Sequence, residues 1–94
     1  MAIKTWACHL SRELFERERN GIVPPNVVRR ARRKLLLVDA AAEIAFLRAP
    51  PGNRLEKLKG NRAGQWSIRI NDQFRICFVF RSGDAYQVEI VDYH

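Results

Sequence analysis

The stretch from Leu58 to Phe78, LKGNRAGQWSIRINDQFRICF, decides the fold because it reads as a basic, glycine-containing loop followed by a β-hairpin. Every second position on the two arms is apolar: Trp66, Ile68, Ile70, Phe74, Ile76, Phe78 and Phe80. The positions between them are Ser67, Arg69, Arg75 and Cys77. A period of two predicts strands with one face in a core. We expect the other face, which carries the arginines, to stay open.

The same alternation fixes the turn of this hairpin. Ile70 and Phe74 can share one core only if they pair with each other, so residues 71–73 form a three-residue loop. Asn71 and Asp72 suit such a loop because both residue types tolerate left-handed backbone angles. The register then places Arg69 directly opposite Arg75, and like charges in that relation destabilise a hairpin. The repulsion between Arg69 and Arg75 must therefore be offset by a carboxylate, by splayed side chains or by an anionic ligand.

Length and composition favour one small basic domain spanning residues 1–94. The net charge is +7 and 47% of the 94 residues are hydrophobic, which argues against disorder. No apolar run approaches the ~20 residues of a membrane span, and no signal peptide is recognisable, so we expect a cytoplasmic protein with no membrane partner. The charge favours a polyanionic partner, most often nucleic acid.

The cysteine and histidine content predicts neither a disulfide nor a metal site. Cys8 and Cys77 lack the spacing of a metal or redox motif, and in a cytoplasmic chain two reduced thiols are expected. His9 and His94 stand far apart without a cluster of other ligands. We therefore expect no metal and no cofactor.

The remaining sequence predicts helices first and strands second. Residues 1–6 suit a short edge strand, and Leu10–Arg19 suits a first helix that ends at Asn20-Gly21. A second helix opens at Pro24-Pro25. Its apolar stripe consists of Val28, Ala31, Leu35, Val38 and Ala42.

A short strand over residues 55–58 and a second hairpin complete the pattern. Parity selects a three-residue loop at residues 82–84, which pairs Phe80 with Tyr86 and Ile76 with Ile90. The expected fold is α+β, with two N-terminal helices packed on one face of an antiparallel β-sheet.

The polar face of the sheet carries groups suited to RNA cleavage. Lys59, Arg62, Arg69 and Arg75 are cations that can hold phosphates. Tyr93 can stack on a base, or it is simply a packed aromatic side chain. Asp92 and His94 are suited to proton transfer, although a residue at the chain end is often frayed.

The second helix carries a separate basic run. The side opposite the apolar stripe holds Arg29, Arg30, Arg32, Arg33 and Lys34. This run either forms a solvated face or contacts phosphates or an acidic protein segment.

Three ordered strings carry a family resemblance: residues 58–62, residues 66–78, and residues 88–94, which end in Asp92-Tyr93-His94. Together they resemble the HigB toxins of the RelE/ParE superfamily, which belong to type II toxin–antitoxin systems. The resemblance implies a microbial-RNase-like fold and a ribosome-dependent endoribonuclease, an mRNA interferase that inhibits translation. It also implies a HigA-like helix-turn-helix antitoxin as partner, with operator DNA bound only through the complex.

Matched position by position, the resemblance implies catalytic roles for Lys59, Arg75, Asp92, Tyr93 and His94. Some members carry a catalytic histidine three positions before the lysine, where this chain has Glu56. Either Glu56 is the base or His94 acts alone.

Two other functions fit the same sequence. A ParE-like toxin shares the fold but inhibits DNA gyrase and cleaves nothing; the Asp92-Tyr93-His94 ending favours the nuclease over it. A non-catalytic RNA-binding domain is the other alternative, and it would be expected to carry more aromatic residues on the polar face. Because Arg75 is expected to lie on the open polar face, Arg75→Ala is predicted to abolish toxicity and to leave the fold intact.

Overall fold

The computed structural model describes residues 2–93. Two helices, α1 (His9–Arg17) and α2 (Val28–Ala40), precede four strands. The strands are β1 (Glu56–Lys57), β2 (Trp66–Arg69), β3 (Phe74–Arg81) and β4 (Asp84–Asp92), and they form one antiparallel sheet in the order β1-β2-β3-β4. Short 3-10 turns cover Pro25–Val27, Ile44–Leu47, Pro51–Asn53 and Gly60–Arg62. The predicted combination of two helices with an antiparallel sheet is confirmed.

The first hairpin has the predicted register. Arg69 pairs with Arg75, and the Ile70 N–H donates to the Phe74 carbonyl at 2.9 Å. The Asn71 side chain closes the three-residue loop, because its Oδ1 accepts from the N–H groups of Gln73 at 2.9 Å and Phe74 at 2.7 Å. An Asx turn of this kind fixes the loop locally.

The second hairpin departs from the prediction. Arg81 pairs with Asp84, so the loop has two residues, Ser82 and Gly83, with φ of 51° and 81°. Positive φ at both positions matches the twist of the flanking strands. Phe80 consequently pairs with Ala85 rather than Tyr86.

A β-bulge restores the predicted pairing further along the two strands. Between the pairs Val79–Tyr86 and Cys77–Glu89, Phe78 on β3 faces two residues of β4. One of them is Gln87, which adopts φ 54° and takes up the extra residue. Beyond the bulge the predicted pairing of Ile76 with Ile90 is found.

The N-terminal segment lies along the outer edge of β4, as its shortness predicted. It runs parallel to β4 through isolated bridges at Ile3–Ala85 and Trp6–Val88 rather than as a regular strand. The Lys4 N–H donates to the Ala85 carbonyl at 2.8 Å, and the Val88 N–H donates to the Thr5 carbonyl at 3.1 Å. This segment therefore protects the β4 edge of the sheet from pairing with another chain.

Helix α1 ends earlier than predicted. The residue that leaves the helix in a left-handed conformation is Glu18, with φ 55°, not the Asn20-Gly21 pair. Asn20 instead shapes the following loop, since its Oδ1 accepts from the Val23 N–H at 3.0 Å. Leu10 is 44% exposed, whereas Ser11 is buried and its Oγ accepts from the Ile90 N–H at 2.9 Å. A polar contact thus joins α1 to β4.

The core combines both helices with the sheet. Ala31, Leu35 and Val38 of α2 are fully buried in one cluster with Leu14 of α1. That cluster also contains these sheet residues: Ile68, Ile70, Phe74, Ile76, Phe78, Ala85, Val88 and Ile90. Ala42, predicted to extend the stripe, is exposed because α2 ends at Ala40. No helix within residues 2–93 has the length and apolarity needed to cross a bilayer.

Candidate functional site

Arg75 is the centre of the candidate site, and it is buried rather than open to solvent, with 7% of its surface exposed. Its Nε donates to Ser67 Oγ at 2.8 Å, and its Nη2 donates to the Arg54 carbonyl at 2.6 Å. The expectation of an open polar face is therefore wrong at this position. Burial of a guanidinium is tolerated when protein acceptors satisfy its donors, and Ser67 and Arg54 do so here for Nε and Nη2.

Neighbouring positions on the same face are covered as well. Ser67 and Cys77 have no exposed surface, and burial raises the pKa of the Cys77 thiol. Arg62 and Glu89 shift that pKa in opposite directions, and the two side chains form an ion pair at 3.3 Å. Arg62 also donates to Gln65 Oε1 at 3.0 Å. Arg62 thus has structural partners on this face in addition to its predicted role toward RNA.

Glu56 and Tyr93 also lie close to the Arg75 guanidinium. Glu56 Oε1 lies 3.7 Å from Nη1, and the Glu56 side chain is 53% exposed. The Tyr93 ring centre lies 5.7 Å from Arg75 Cζ, within range of a cation–π contact. Nε and Nη2 are engaged by protein acceptors, whereas Nη1 lies toward the exposed carboxylate of Glu56. This arrangement can bind an anionic oxygen next to a base.

The paired arginines each have a carboxylate partner. Arg69 forms an ion pair with Asp72 of the hairpin loop, and Arg75 lies beside Glu56 of β1. Of the three ways to offset the repulsion between Arg69 and Arg75 that the sequence left open, the structure thus shows a carboxylate beside each arginine.

The end of β4 is anchored to the loop of the first hairpin. Gln73 Nε2 donates to Asp92 Oδ2 at 3.0 Å, and the Tyr93 N–H donates to the Gln73 carbonyl at 2.6 Å. These contacts hold Tyr93 next to Arg75, since Tyr93 lies two residues beyond Val91, the partner of Arg75 on β4. His94, predicted to act in proton transfer, lies outside the described residues.

Lys59 lies between β1 and the Gly60–Arg62 turn. Its side chain is exposed, and within residues 2–93 it takes part in no hydrogen bond or ion pair. Gly60 follows with φ 64°, a left-handed conformation that turns the chain immediately after the lysine. Lys59 is thus an exposed cation three positions after Glu56.

The basic run of α2 divides between two sides of the helix. Arg29 and Arg33 lie on a surface groove of about 550 Å³, whose other lining residues are Glu18, Pro25, Val28, Arg32 and Leu36. Arg30 and Lys34 lie one turn apart on the adjacent side. Burial lowers the pKa of Lys34, and the charges of Arg30, Arg33 and Arg69 lower it further. Arg29 and Arg33 thus line the groove, whereas Lys34 is partly buried on the adjacent side of the helix.

Sequence reasoning missed three residues around Arg75. The register that placed Ser67 diagonally from Arg75 was a sufficient signal for the first of them. Arg54 and Asn53 come from the connector after α2, and no sequence pattern marked them. Metal ligation was not expected, and among the described residues no group of three histidine, cysteine or carboxylate side chains is arranged to hold an ion.

Comparison with known proteins gives this geometry a family. The model of a family described as the RelE-like toxin of type II toxin–antitoxin system HigB matches residues 7–94. The chain belongs to this HigB-like toxin family.

Two relatives of this HigB-like toxin extend the comparison. Toxin HigB-1 of Vibrio cholerae serotype O1 is 43% identical over 68 residues, which are 72% of each chain. Endoribonuclease HigB of Proteus vulgaris is 41% identical over 81 residues, covering 86% of this chain and 87% of the relative. Among solved structures, the YoeB-YefM complex from Staphylococcus aureus matches with a TM-score of 0.58 at 20% identity. That match covers 100% of this chain and 99% of the other, and it shows a shared fold.

Proposed function

We propose that this HigB-like toxin, an endoribonuclease, cleaves mRNA held in the ribosomal A site and thereby inhibits translation. The observation that carries the proposal is the orientation of Arg75. Two of its nitrogens are engaged by Ser67 and Arg54, Nη1 lies beside Glu56, and the Tyr93 ring lies 5.7 Å from the guanidinium carbon. A cation held in this way can stabilise charge on a phosphate without reorganising during the reaction.

In the proposed chemistry the substrate's own 2′-hydroxyl oxygen attacks the adjacent phosphorus, and a 2′,3′-cyclic phosphate forms as the bond to the 5′-oxygen of the next nucleotide breaks. A base takes the proton of the 2′-hydroxyl, and an acid gives a proton to the departing 5′-oxygen. Arg75 Nη1 and the exposed Lys59 stabilise the negative charge that develops on the phosphate oxygens. Tyr93 stacks on a base of the bound strand, since its ring is 40% exposed at the border of the site. Each of these groups contacts the substrate directly, so we assign them catalytic roles.

Proton transfer is assigned to Glu56, Asp92 and His94. Glu56 is the carboxylate beside Arg75 Nη1, and it takes the position where some family members carry a histidine. Carboxylates as a class are weak bases at neutral pH. Catalysis by such groups depends on a substrate that already has its 2′-hydroxyl in line, and correct orientation supplies several kcal/mol in favourable cases. The ribosome provides that orientation in this proposal.

The proposed partners follow the same assignment. The toxin has the microbial-RNase-like arrangement with both helices on one face of the sheet, and a HigA-like helix-turn-helix antitoxin neutralises it. Operator DNA is bound through that complex. Arg29, Arg30 and Arg33, together with Arg62 and Arg69, contribute positive charge toward ribosomal and messenger RNA, because cation–phosphate contacts provide most sequence-independent affinity.

The decisive experiment compares naked mRNA with the same mRNA in a programmed 70S complex. Transcript ends are mapped after incubation with the wild type and with a variant lacking His94. We expect cleavage of the ribosome-bound message only, and its loss in the truncated variant. Equal cleavage of naked RNA would contradict ribosome dependence. Inhibition of gyrase supercoiling without any RNA cleavage would move the protein to the ParE-like alternative.

A further inference from the structure

Asn53 is a fully buried polar residue outside the assigned catalytic groups. Its Oδ1 accepts a hydrogen bond from Lys34 Nζ of α2 at 2.5 Å, and its Nδ2 donates to the Leu47 carbonyl at 3.1 Å. Its backbone N–H donates to the Pro50 carbonyl at 3.0 Å. The two side-chain bonds join the connector at residues 50–54 to α2 and to Leu47, and the backbone bond closes a turn within it, so Asn53 fixes this connector relative to α2.

The residue that follows presents its carbonyl to the candidate site. Arg54 has φ 44° and ψ 58°, a left-handed conformation that is unfavourable for a residue with a side chain. Such a conformation persists only where the surrounding contacts impose it. Its carbonyl oxygen accepts from Arg75 Nη2 at 2.6 Å, and this bond sets the orientation of the guanidinium together with Ser67.

We propose that Lys34 and Asn53 are positioning residues for Arg75, which act through the Arg54 carbonyl to direct Nη1 toward the bound phosphate. The proposal deepens the proposed function and rests on it. Lys34 belongs to the basic run of α2, but in this proposal it orients a buried residue, whereas its neighbours contact RNA. Its ammonium group is bonded to a buried amide, whereas Arg29, Arg30 and Arg33 are exposed. Burial lowers its pKa, in keeping with a group directed inward.

The test uses Lys34→Met, which keeps an unbranched side chain one atom shorter and removes the donor to Asn53. Arg48→Met is the matched control, because Arg48 is an exposed cation beside the same connector. Two quantities are measured: the single-turnover rate of cleavage of ribosome-bound mRNA, and the affinity of the toxin for the mRNA–ribosome complex at several salt concentrations. We expect Lys34→Met to slow cleavage within the complex roughly tenfold, since small misplacement of a catalytic group has effects of this size. Affinity and salt dependence stay at the wild-type level, and Arg48→Met cleaves at the wild-type rate.

A second measurement reports on Arg75 without any activity. Hydrogen exchange of the Arg75 guanidinium, followed by nitrogen-15 NMR on the free toxin, is compared among the wild type, Lys34→Met, Arg48→Met and Asn53→Ala. Faster exchange at Nη2 in Lys34→Met and Asn53→Ala, but not in Arg48→Met, is expected. Melting temperatures show whether each variant is folded under the conditions used, and Lys34→Met alone decides the result if Asn53→Ala does not fold.

Three results would overturn the assignment of positioning roles. The first is a wild-type cleavage rate in Lys34→Met. The second is unchanged cleavage within the complex with weaker binding and a salt slope reduced by about one, which would make Lys34 a direct phosphate contact. The third is unchanged exchange at Arg75. If the wild type cleaves nothing, the proposed function fails, and the exchange measurement still decides whether Lys34 and Asn53 orient Arg75.

Discussion

Arg69 and Arg75 lie directly opposite each other in the first hairpin, yet they occupy different environments. Arg75 is buried and bonded to Ser67 and to the Arg54 carbonyl. Arg69 is partly exposed, and its partner Asp72 is fully exposed on the loop. Removal of Arg75 leaves Ser67 and the Arg54 carbonyl without their hydrogen-bond donor, whereas removal of Arg69 leaves only an exposed carboxylate. The two arginines are therefore a matched pair for mutagenesis.

We expect Arg75→Ala to destabilise the protein by about 2–4 kcal/mol, because the substitution leaves a buried hydroxyl and a partly buried carbonyl without their charged donor. This outcome replaces the expectation of an intact fold that an open polar face implied. Arg69→Ala removes only a solvent-screened ion pair and should leave the unfolding midpoint nearly unchanged. Urea unfolding of both variants checks the difference, and equal midpoints would contradict the structural role of Arg75.

Lys59 is expected to matter for cleavage rather than for stability, because its exposed side chain has no partner within residues 2–93. Lys59→Gln should slow cleavage of ribosome-bound mRNA on the order of a hundredfold at an unchanged melting temperature. Lys57→Gln is the control two positions away, where the ammonium group lies 5.8 Å from the Trp66 ring centre instead. Comparable losses in the two variants would point to net charge as the cause.

Charge reversal at Arg29, Arg30 and Arg33 should weaken ribosome binding and reduce its salt dependence. Removing one cation from a phosphate flattens the logarithmic slope by about 0.7–0.9. A control with the same change in net charge reverses the exposed residues Lys4, Arg19 and Arg48. If both triple variants bind the ribosome and the antitoxin like the wild type, the basic run of α2 is only a solvated surface.

Replacement of Gly83, in the loop of the second hairpin, should lower the stability of the protein. Its φ is 81°, and an added Cβ would lie 3.1 Å from the Ala42 carbonyl oxygen. Gly83→Ala is expected to destabilise the protein by about 1–2 kcal/mol. Gly52→Ala provides the comparison, because an added Cβ there meets nothing within 4 Å and φ is not left-handed. Thermal unfolding of the two variants should separate them clearly.

The two thiols are free, as predicted, and they should differ in reactivity. Cys77 has no exposed surface, and burial raises its pKa, so little reactive thiolate forms near pH 8. Cys8 is partly exposed. Iodoacetamide should therefore modify Cys8 in the native protein and both cysteines in urea, as measured by intact mass. Rapid modification of Cys77 without denaturant would indicate that the polar face opens.

The first hairpin was predictable because its constraints are local. Apolar alternation on both arms leaves Ile70 and Phe74 a single pairing, and Asn71 closes the loop by bonding to residues two and three positions later. The second hairpin was not, because the same alternation is interrupted by a bulge at Gln87. A non-glycine residue with positive φ leaves no mark in a hydrophobic pattern.

The sequence indicated which residues lie together in the candidate site, but it did not indicate that Arg75 is buried. Glu56, Arg75 and Tyr93 were chosen from motifs, and the structure brings them into contact range. The burial of Arg75 depends on Arg54, which is 21 residues away in a connector without periodic signal. Contacts of this kind are tertiary, and neither propensity nor spacing encodes them.

The edge position of the N-terminal segment has a consequence for biosynthesis. Thr5 Oγ1 accepts a hydrogen bond from the Gln87 N–H, so the contact spans 82 residues of sequence. Parallel pairing of residues 3–6 with β4 cannot form until β4 has emerged from the ribosome that is translating it. The first residues of a nascent toxin therefore wait without a partner strand until residues 85–88 are free to meet them.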